Sequence, residues 1–262
     1  MNRISSIFQN CRREKRAALI IFAEAGYPNL AQSEQDIDTA IENGADIIEL
    51  GIPFSDPMAD GPVISSAGQT AIENGANLQN ILEMAARIRQ RHPDTGLVLF
   101  SYFNVMYNYG LEALCAELQR IGVDGILAVD LPLEERDELL APCRAHNLHL
   151  IPLVSPATSP ERARAIVQDV TGFVYYVSVR GITGARAAMP PELAQNLAML
   201  REISPVPVVV GFGIASGESA HAVAECADGV VVGSAFVSAC TAPGQAATLV
   251  RTLRAGCAKE NS

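Results

Sequence analysis

The sequence has few of the residues that mark metal-dependent or secreted proteins. It contains no tryptophan, four histidines and six cysteines in 262 residues. The cysteines lie far apart and form no CxxC pair, which predicts reduced thiols in a cytoplasmic protein. His146 and His149 are the only close pair of histidines, and no cysteine or carboxylate cluster accompanies them. We therefore expect no metal site.

Positive charge and long apolar runs are also scarce. The formal net charge is −10 at pH 7, which argues against nucleic acid or an anionic membrane as a partner. No apolar stretch approaches the ~18 residues that indicate a membrane span. The apolar run near the N-terminus is too short for a signal peptide, and basic residues follow it at once. An anionic substrate would have to be held by local dipoles.

Apolar content is ample, at 49% of the residues. No linker or low-complexity segment divides the chain, so we expect one domain over residues 1–262. Eight short apolar runs are typical of strands that are buried on both faces. They are Leu19–Phe22, Asp46–Leu50, Leu97–Tyr102, Gly125–Val129, Leu148–Val154, Phe173–Ser178, Val206–Gly211 and Gly229–Gly233.

Segments with helical spacing lie between these runs. They are Ser33–Glu42, Leu78–Arg91, Leu111–Ile121, Pro160–Gln168, Pro191–Ile203, Ser216–Glu225 and Gly244–Arg254. Strands that alternate with helices predict an α/β fold, a (β/α)8 TIM barrel, with an extra N-terminal helix over Ile4–Lys15. A doubly wound open sheet is the alternative. That fold typically carries the glycine-rich motif GxGxxG after the first strand, whereas this chain has Ala25–Pro28 at that place.

The stretch from Glu49 to Pro62 is the most informative part of the chain. The apolar run before it predicts a buried strand that ends near Glu49, since Gly51 and Pro53 extend a strand poorly. Asp60 lies at the far end of the loop that follows, and the prolines of this loop restrict its conformations. Two carboxylates on a constrained loop after a buried strand suit proton-transfer chemistry.

Glycines end the last three predicted strands. They occur in Gly181–Gly184, in Gly211–Gly213 and at Gly233, where Ser234 starts a short helical stretch. Glycine lets backbone N–H groups approach an anion, and a helix N-terminus adds partial positive charge. Barrels often bind phosphate near strands seven and eight, so we expect a phosphate site at this end.

Structural explanations remain open for each of these residues. Glu49 could pair with a cation in the barrel, Asp56 and Asp60 could form turns, and the glycines could serve tight turns alone. Tyr102 and Tyr175 could point into the barrel mouth or belong to the core.

Together these motifs resemble the tryptophan synthase alpha subunit family, and the resemblance covers nearly the whole chain. The segments that carry it are Ala25–Pro28, Glu49–Ile64, Asp130–Glu135, Gly181–Ala185, Gly211–Ile214 and Gly233–Ser234. The resemblance implies a (β/α)8 barrel that cleaves indole-3-glycerol phosphate to indole and glyceraldehyde 3-phosphate. It also implies an αββα complex with a beta subunit, whose pyridoxal phosphate serves tryptophan synthesis, and no cofactor in this subunit.

The resemblance also implies roles for individual residues. Glu49 would be the general acid and base, and Asp60 would contact the indole nitrogen. The remaining assignments are Phe22, Tyr102, Tyr175 and Thr183 to the substrate, Gly184, Gly213, Gly233 and Ser234 to the phosphate, and Pro53 and Asp56 to the beta subunit.

Some positions depart from the family pattern. Ile21 and Glu24 replace a Pro and a Thr, Ser65 replaces a Gln, and no role is transferred to Arg180. Glu24 adds a third acid near the mouth. The departures leave two alternatives open, a free-standing indole-3-glycerol-phosphate lyase and a weakly catalytic regulatory subunit. A sugar-phosphate isomerase would need another well-placed acid or base, and none is evident.

Overall fold

The computed structural model describes residues 3–177, 191–211 and 213–260. In this part of the chain one parallel sheet of nine strands curls into a barrel, in the order β5-β4-β3-β2-β1-β9-β8-β7-β6. The strands are β1 Ala18–Glu24, β2 Ile47–Gly51, β3 Gly96–Ser101, β4 Gly125–Ala128, β5 His149–Leu150, β6 Leu153–Val154, β7 Val174–Val177, β8 Val208–Gly211 and β9 Gly229–Val232.

The fifth predicted strand is split into β5 and β6. Pro152 lies in the gap and has no N–H to donate to a ladder, although its carbonyl still accepts the N–H of Tyr175 at 3.0 Å. Counted as one interrupted strand, β5 and β6 complete the eight strands of the predicted (β/α)8 barrel. The second strand is shifted by one residue from its predicted range, because Gly51 pairs with Glu24 and Phe100 and so continues β2 past Glu49.

Helices surround the sheet in the described residues. They are α1 Arg3–Arg13, α2 Leu30–Glu42, α3 Pro62–Glu73, α4 Leu78–Arg91, α5 Phe103–Tyr109, α6 Leu111–Ile121, α7 Asp137–Ala145, α8 Pro160–Val167, α9 Pro191–Ile203, α10 Gly217–Ala224, α11 Ser234–Ala239 and α12 Gln245–Gly256. None of them is long and apolar enough to cross a membrane.

Side-chain alternation along the strands divides the core into two layers. Ile47 and Glu49 point into the barrel, while Ile48 and Leu50 pack against the helices. The predicted N-terminal helix is confirmed as α1, which closes the bottom of the barrel and places Phe8 beside Phe173 with ring centroids 5.9 Å apart. This closure leaves the carboxyl ends of the strands as the open mouth.

Candidate active site

The mouth of the barrel contains a cavity of about 750 Å³, called here the mouth cavity. Its walls come from the carboxyl ends of the strands and the loops that follow them, as in barrel enzymes generally. Of the residues predicted for the site, those that line it are Phe22, Glu49, Asp60, Tyr175, Gly213, Gly233 and Ser234. Thr183 and Gly184 lie outside the described residues.

Glu49 lies at the floor of the mouth cavity, where the inward register of β2 places it. Its side chain is 0% exposed, and neither carboxyl oxygen has a hydrogen-bond partner among the described residues. Burial alone raises the pKa of Glu49 to about 8, because a carboxylate loses its hydration there. The alternative in which Glu49 pairs with a barrel cation is therefore wrong for the described part of the chain, and the carboxyl is mostly protonated at neutral pH.

Aromatic rings pack beside Glu49, and glycines on the neighbouring strands make room for them. The Phe22 ring lies over Gly51, where an added Cβ would be 2.4 Å from the ring, and it meets Phe100 edge to face at 5.0 Å. The Tyr175 hydroxyl lies over Gly211, where an added Cβ would be 1.9 Å from the oxygen. Burial and the charge of Glu49 raise the pKa of Tyr175, so its hydroxyl stays neutral beside the acid.

Asp60 is held at the wall of the cavity by Tyr102. The Tyr102 hydroxyl accepts the N–H of Ala59 at 2.9 Å and hydrogen-bonds the Asp60 carboxylate. Burial raises the pKa of Asp60, and the Tyr102 hydrogen bond partly offsets that rise. The sequence predicted Tyr102 as the last residue of a strand, but in the structure it lies just after β3 and precedes α5. Its side chain lies behind the Asp60 segment, outside the lining of the mouth cavity.

Glu24 is a second buried acid behind the same segment. It is 6% exposed, and an added Cβ on Gly68 of α3 would be 3.1 Å from its Oε1. Burial and the charge of Asp60 raise its pKa well above the usual value. Burial and the neighbouring Asp60 therefore both favour the protonated form of Glu24.

The opposite wall of the cavity is built from backbone and small side chains. Gly213 has φ +72°, in the left-handed region that favours glycine. Gly233 lies between the end of β9 and the start of α11, and Ser234 is the first residue of that helix. The first N–H groups of a helix have no intrahelical partner, so the described part of this wall offers hydrogen-bond donors and contributes no positively charged side chain.

The segment from Pro53 to Asp60 leaves the barrel toward solvent. Pro53 is half-buried and Asp56 is exposed, where it accepts a hydrogen bond from the Ser55 hydroxyl at 2.5 Å. Met58 is 86% exposed. An exposed methionine on a stiffened loop beside the active-site mouth is compatible with a docking loop.

Sequence reasoning missed the contribution of the fifth strand to the site. Leu153 on β6 and Thr158, in the loop after it, line the mouth cavity. The signal that could have found them was their position, since both lie at the carboxyl end of a barrel strand. No group of histidine, cysteine or carboxylate side chains in the described residues could hold a metal ion, and all six cysteines are free.

The barrel is closed at one end and open at the other, and its mouth holds a buried carboxyl with no cation beside it among the described residues. These features define the class of this protein as a (β/α)8-barrel enzyme. A family model described as "Tryptophan synthase alpha chain" matches residues 8–261. The chain therefore belongs to the tryptophan synthase alpha chain family, the alpha subunits that cleave indole-3-glycerol phosphate.

Individual relatives agree with the family model. The tryptophan synthase alpha chain of Geobacter sulfurreducens is 46% identical over 237 residues, which cover 90% of this chain and 89% of the relative. That of Zymomonas mobilis is 43% identical over 238 residues, with 91% and 87% covered.

Solved structures show the same fold. A structure from Aquifex aeolicus has a TM-score of 0.92 at 35% identity and covers 98% of this chain and 100% of the other. A tryptophan synthase structure from Mycobacterium tuberculosis has a TM-score of 0.91 at 35% identity, with 98% of each chain covered. The resemblance inferred from the sequence is thus confirmed for both family and fold.

Proposed function

We propose that this chain is a lyase that cleaves indole-3-glycerol phosphate by a retro-aldol reaction, with Glu49 as both general acid and general base. The observation that carries the proposal is the Glu49 carboxyl, buried at the cavity floor without a cation and with a pKa raised to about 8. An acid whose pKa lies near the working pH can both donate and accept a proton.

The proposed reaction needs two proton transfers around one carbon–carbon bond. Protonated Glu49 donates its proton to the indole ring carbon that carries the glycerol chain. The resulting carboxylate then takes the proton of the adjacent hydroxyl, so that this oxygen becomes the aldehyde carbonyl as the carbon–carbon bond breaks. The bonding electron pair returns to the indole ring, and Glu49 ends protonated. Because Glu49 exposes no surface, its carboxyl must turn toward the cavity on substrate binding.

Asp60 supplies the negative charge that the reaction requires. Positive charge develops on the indole N–H when the ring carbon is protonated, and a fixed carboxylate stabilises it. The Tyr102 hydrogen bond lowers the pKa of Asp60 and so favours its ionised form. Phe22 and Tyr175 would hold the apolar ring over Glu49.

The substrate phosphate would lie on the wall formed by Gly213, Gly233 and Ser234, with Gly184 completing the phosphate site as the family resemblance implies. Thr183 would contact the substrate, as the same resemblance implies. Backbone donors and a helix start support this placement. They also suit a chain with a net charge of −10, because the anion is then bound by local dipoles.

We further propose that the chain works in the cytoplasm in an αββα complex with a pyridoxal-phosphate beta subunit that receives the indole, and needs no cofactor of its own. The exposed segment that carries Pro53, Asp56 and Met58 borders the mouth cavity and supports this partnership. Structures solved as tryptophan synthase from Mycobacterium tuberculosis match the chain over 98% of its length.

Indole release by the purified chain, measured with and without its beta subunit, tests the proposal. We expect slow release that the beta subunit accelerates many-fold and that Glu49→Gln reduces at least a thousand-fold. Fast release without the beta subunit would favour the free-standing lyase. If Glu49→Gln stimulated the beta subunit as strongly as wild type while neither released indole, the chain would be a regulatory subunit and the lyase proposal would be wrong.

A further inference from the structure

A second cavity lies outside the barrel, between α7 and α8. This side cavity has a volume of about 330 Å³, at the lower end of the range found for small-molecule sites. It covers the interruption of the sheet between β5 and β6, and residues 150–153 form its base. Val129, Leu153 and Thr158 line both the side cavity and the mouth cavity, so the two are neighbours that share a wall.

Apolar side chains and one unsatisfied cation face this space. Leu140 of α7 and Ile166 of α8 form opposite walls, and Arg136, just before α7, lies between them. Arg136 is half-buried. Its Nη1 donates one long hydrogen bond, 3.3 Å, to the carbonyl of Ile166, and its buried Nε has no partner among the described residues.

Other charged groups at the side cavity are either exposed or already paired. Arg162 makes two hydrogen bonds, 2.7 and 2.9 Å, to the Glu134 carboxylate. Asp130, Arg144 and Asp169 are exposed, where water and salt screen them. Of the described charges that line the cavity, Arg136 is thus the one that is partly desolvated and has no ion pair.

We infer that the side cavity is a binding site for a small organic carboxylate with an apolar body. A guanidinium offers five N–H donors, and a carboxylate matches its geometry with two parallel hydrogen bonds. The apolar walls would bury the rest of such a ligand. This site is independent of the proposed lyase reaction, since neither Arg136 nor the α7 and α8 walls belong to the mouth cavity.

Calorimetric titration with phenylacetate and with 2-phenylethanol, its neutral counterpart of similar size, separates the charge contribution from apolar burial. We expect Arg136→Gln to weaken phenylacetate binding at least ten-fold and to change 2-phenylethanol binding less than two-fold. Arg164→Gln is the matched control, because Arg164 is an exposed arginine of α8 outside the cavity. It should change neither affinity by more than two-fold.

A crystal soaked with 4-iodophenylacetate locates the site through the anomalous signal of iodine. A peak between α7 and α8 supports the inference; iodine in the mouth cavity alone, or no peak, overturns it. Equal phenylacetate affinity in wild type and Arg136→Gln also overturns it. If Arg136→Gln fails to fold, Ile166→Trp serves instead, since a ring that fills the cavity should abolish binding of both probes there.

Discussion

Carboxylates at the two ends of the barrel have opposite surroundings. At the closed end Asp46, Asp124 and Asp228 each directly precede a strand, and each accepts a backbone N–H of the neighbouring strand at 2.8 to 3.0 Å. Each also pairs with an arginine, and the partners are Arg16, Arg89 and Arg201 in that order. At the mouth Glu24, Glu49 and Asp60 are buried or half-buried, and none forms an ion pair within the described residues.

The difference shows how one residue type can serve stability at one end and chemistry at the other. A carboxylate that pairs with an arginine and accepts a backbone N–H ties adjacent strands together. A carboxylate that loses water and gains no cation has a raised pKa, as at Glu24, Glu49 and Asp60. Burial without a cation thus costs stability at the mouth, whereas the paired carboxylates stabilise the closed end, which is the division of labour expected between the two faces of a barrel.

The largest expected effect is the loss of a closed-end carboxylate. Asp124 is 3% exposed, pairs with Arg89 and Arg3, and accepts the N–H of Leu97. Asp124→Ala leaves a buried arginine unpaired, so we expect the free energy of unfolding to fall by about 3 to 5 kcal/mol. Urea unfolding of the wild type and of Asp124→Ala measures this difference in the free energy of unfolding.

An exposed ion pair supplies the control for Asp124. Glu117 pairs with Arg120 on the surface of α6, and Glu117→Gln should cost less than about 0.5 kcal/mol. A cost for Asp124→Ala as small as that of the control would contradict the stabilising role assigned to the closed end.

Next in size is a gain of stability on neutralising Glu49. The folded pKa is about 8 and the unfolded pKa is about 4.3, so the folded chain holds more protons between these values. The contribution of Glu49 to wild-type stability therefore falls as pH rises from about 4 to 8. Glu49→Gln lacks this loss, and we expect it to be more stable by about 2 to 4 kcal/mol at pH 8.

Unfolding curves at pH 4, 6 and 8 check this expectation. The stability difference between Glu49→Gln and wild type should grow across the series. A difference that stayed constant with pH would mean that Glu49 ionises like a free glutamate. The contrast between the mouth carboxylates and the closed-end carboxylates would then not hold for Glu49.

A smaller effect is expected where glycine accommodates Tyr175. Gly211→Ala would place a methyl group 1.9 Å from the Tyr175 hydroxyl. The ring must move, and overpacking of this kind costs about 1 to 3 kcal/mol. Since Tyr175 packs at the cavity beside Glu49, indole release should fall as well. In a Tyr175→Leu background the same change should cost less stability, and an equal cost in both backgrounds would place the strain elsewhere.

The smallest effect concerns the position and ionisation of Asp60. Tyr102→Phe removes the hydroxyl that accepts the Ala59 N–H and hydrogen-bonds Asp60, at a cost of about 1 kcal/mol. Without that hydrogen bond the pKa of Asp60 rises further, so the ionised form is lost at a higher pH. The acid limb of the pH–rate profile should therefore move to higher pH. An unchanged limb would show that Asp60 ionisation does not control the rate.

Much of the fold could be predicted from local pattern. The bounds of α4, α6 and α9 match their predicted ranges because apolar residues recur with helical spacing between clear end signals. Helices α3, α5 and α7 were not predicted. Helix α5 has seven residues, and α7 contains Pro142, so neither shows a regular period. The interruption of the fifth strand was also not predicted, although Pro152 cannot donate a backbone hydrogen bond and so indicated a break in the strand.

The sequence by itself determined the kind of fold, the acid near the end of the second strand, the acid in the loop after it and the glycines near the ends of the last strands. These features depend on alternation, turn chemistry and spacing along the chain. Tertiary structure alone decided that Glu49 has no cation beside it, that Tyr102 lies behind Asp60 and that Glu24 is buried. The physical reason is that a pKa depends on the water and charges around a group in space. Those neighbours come from strands, helices and loops distant in sequence, and the closure of the barrel brings them together.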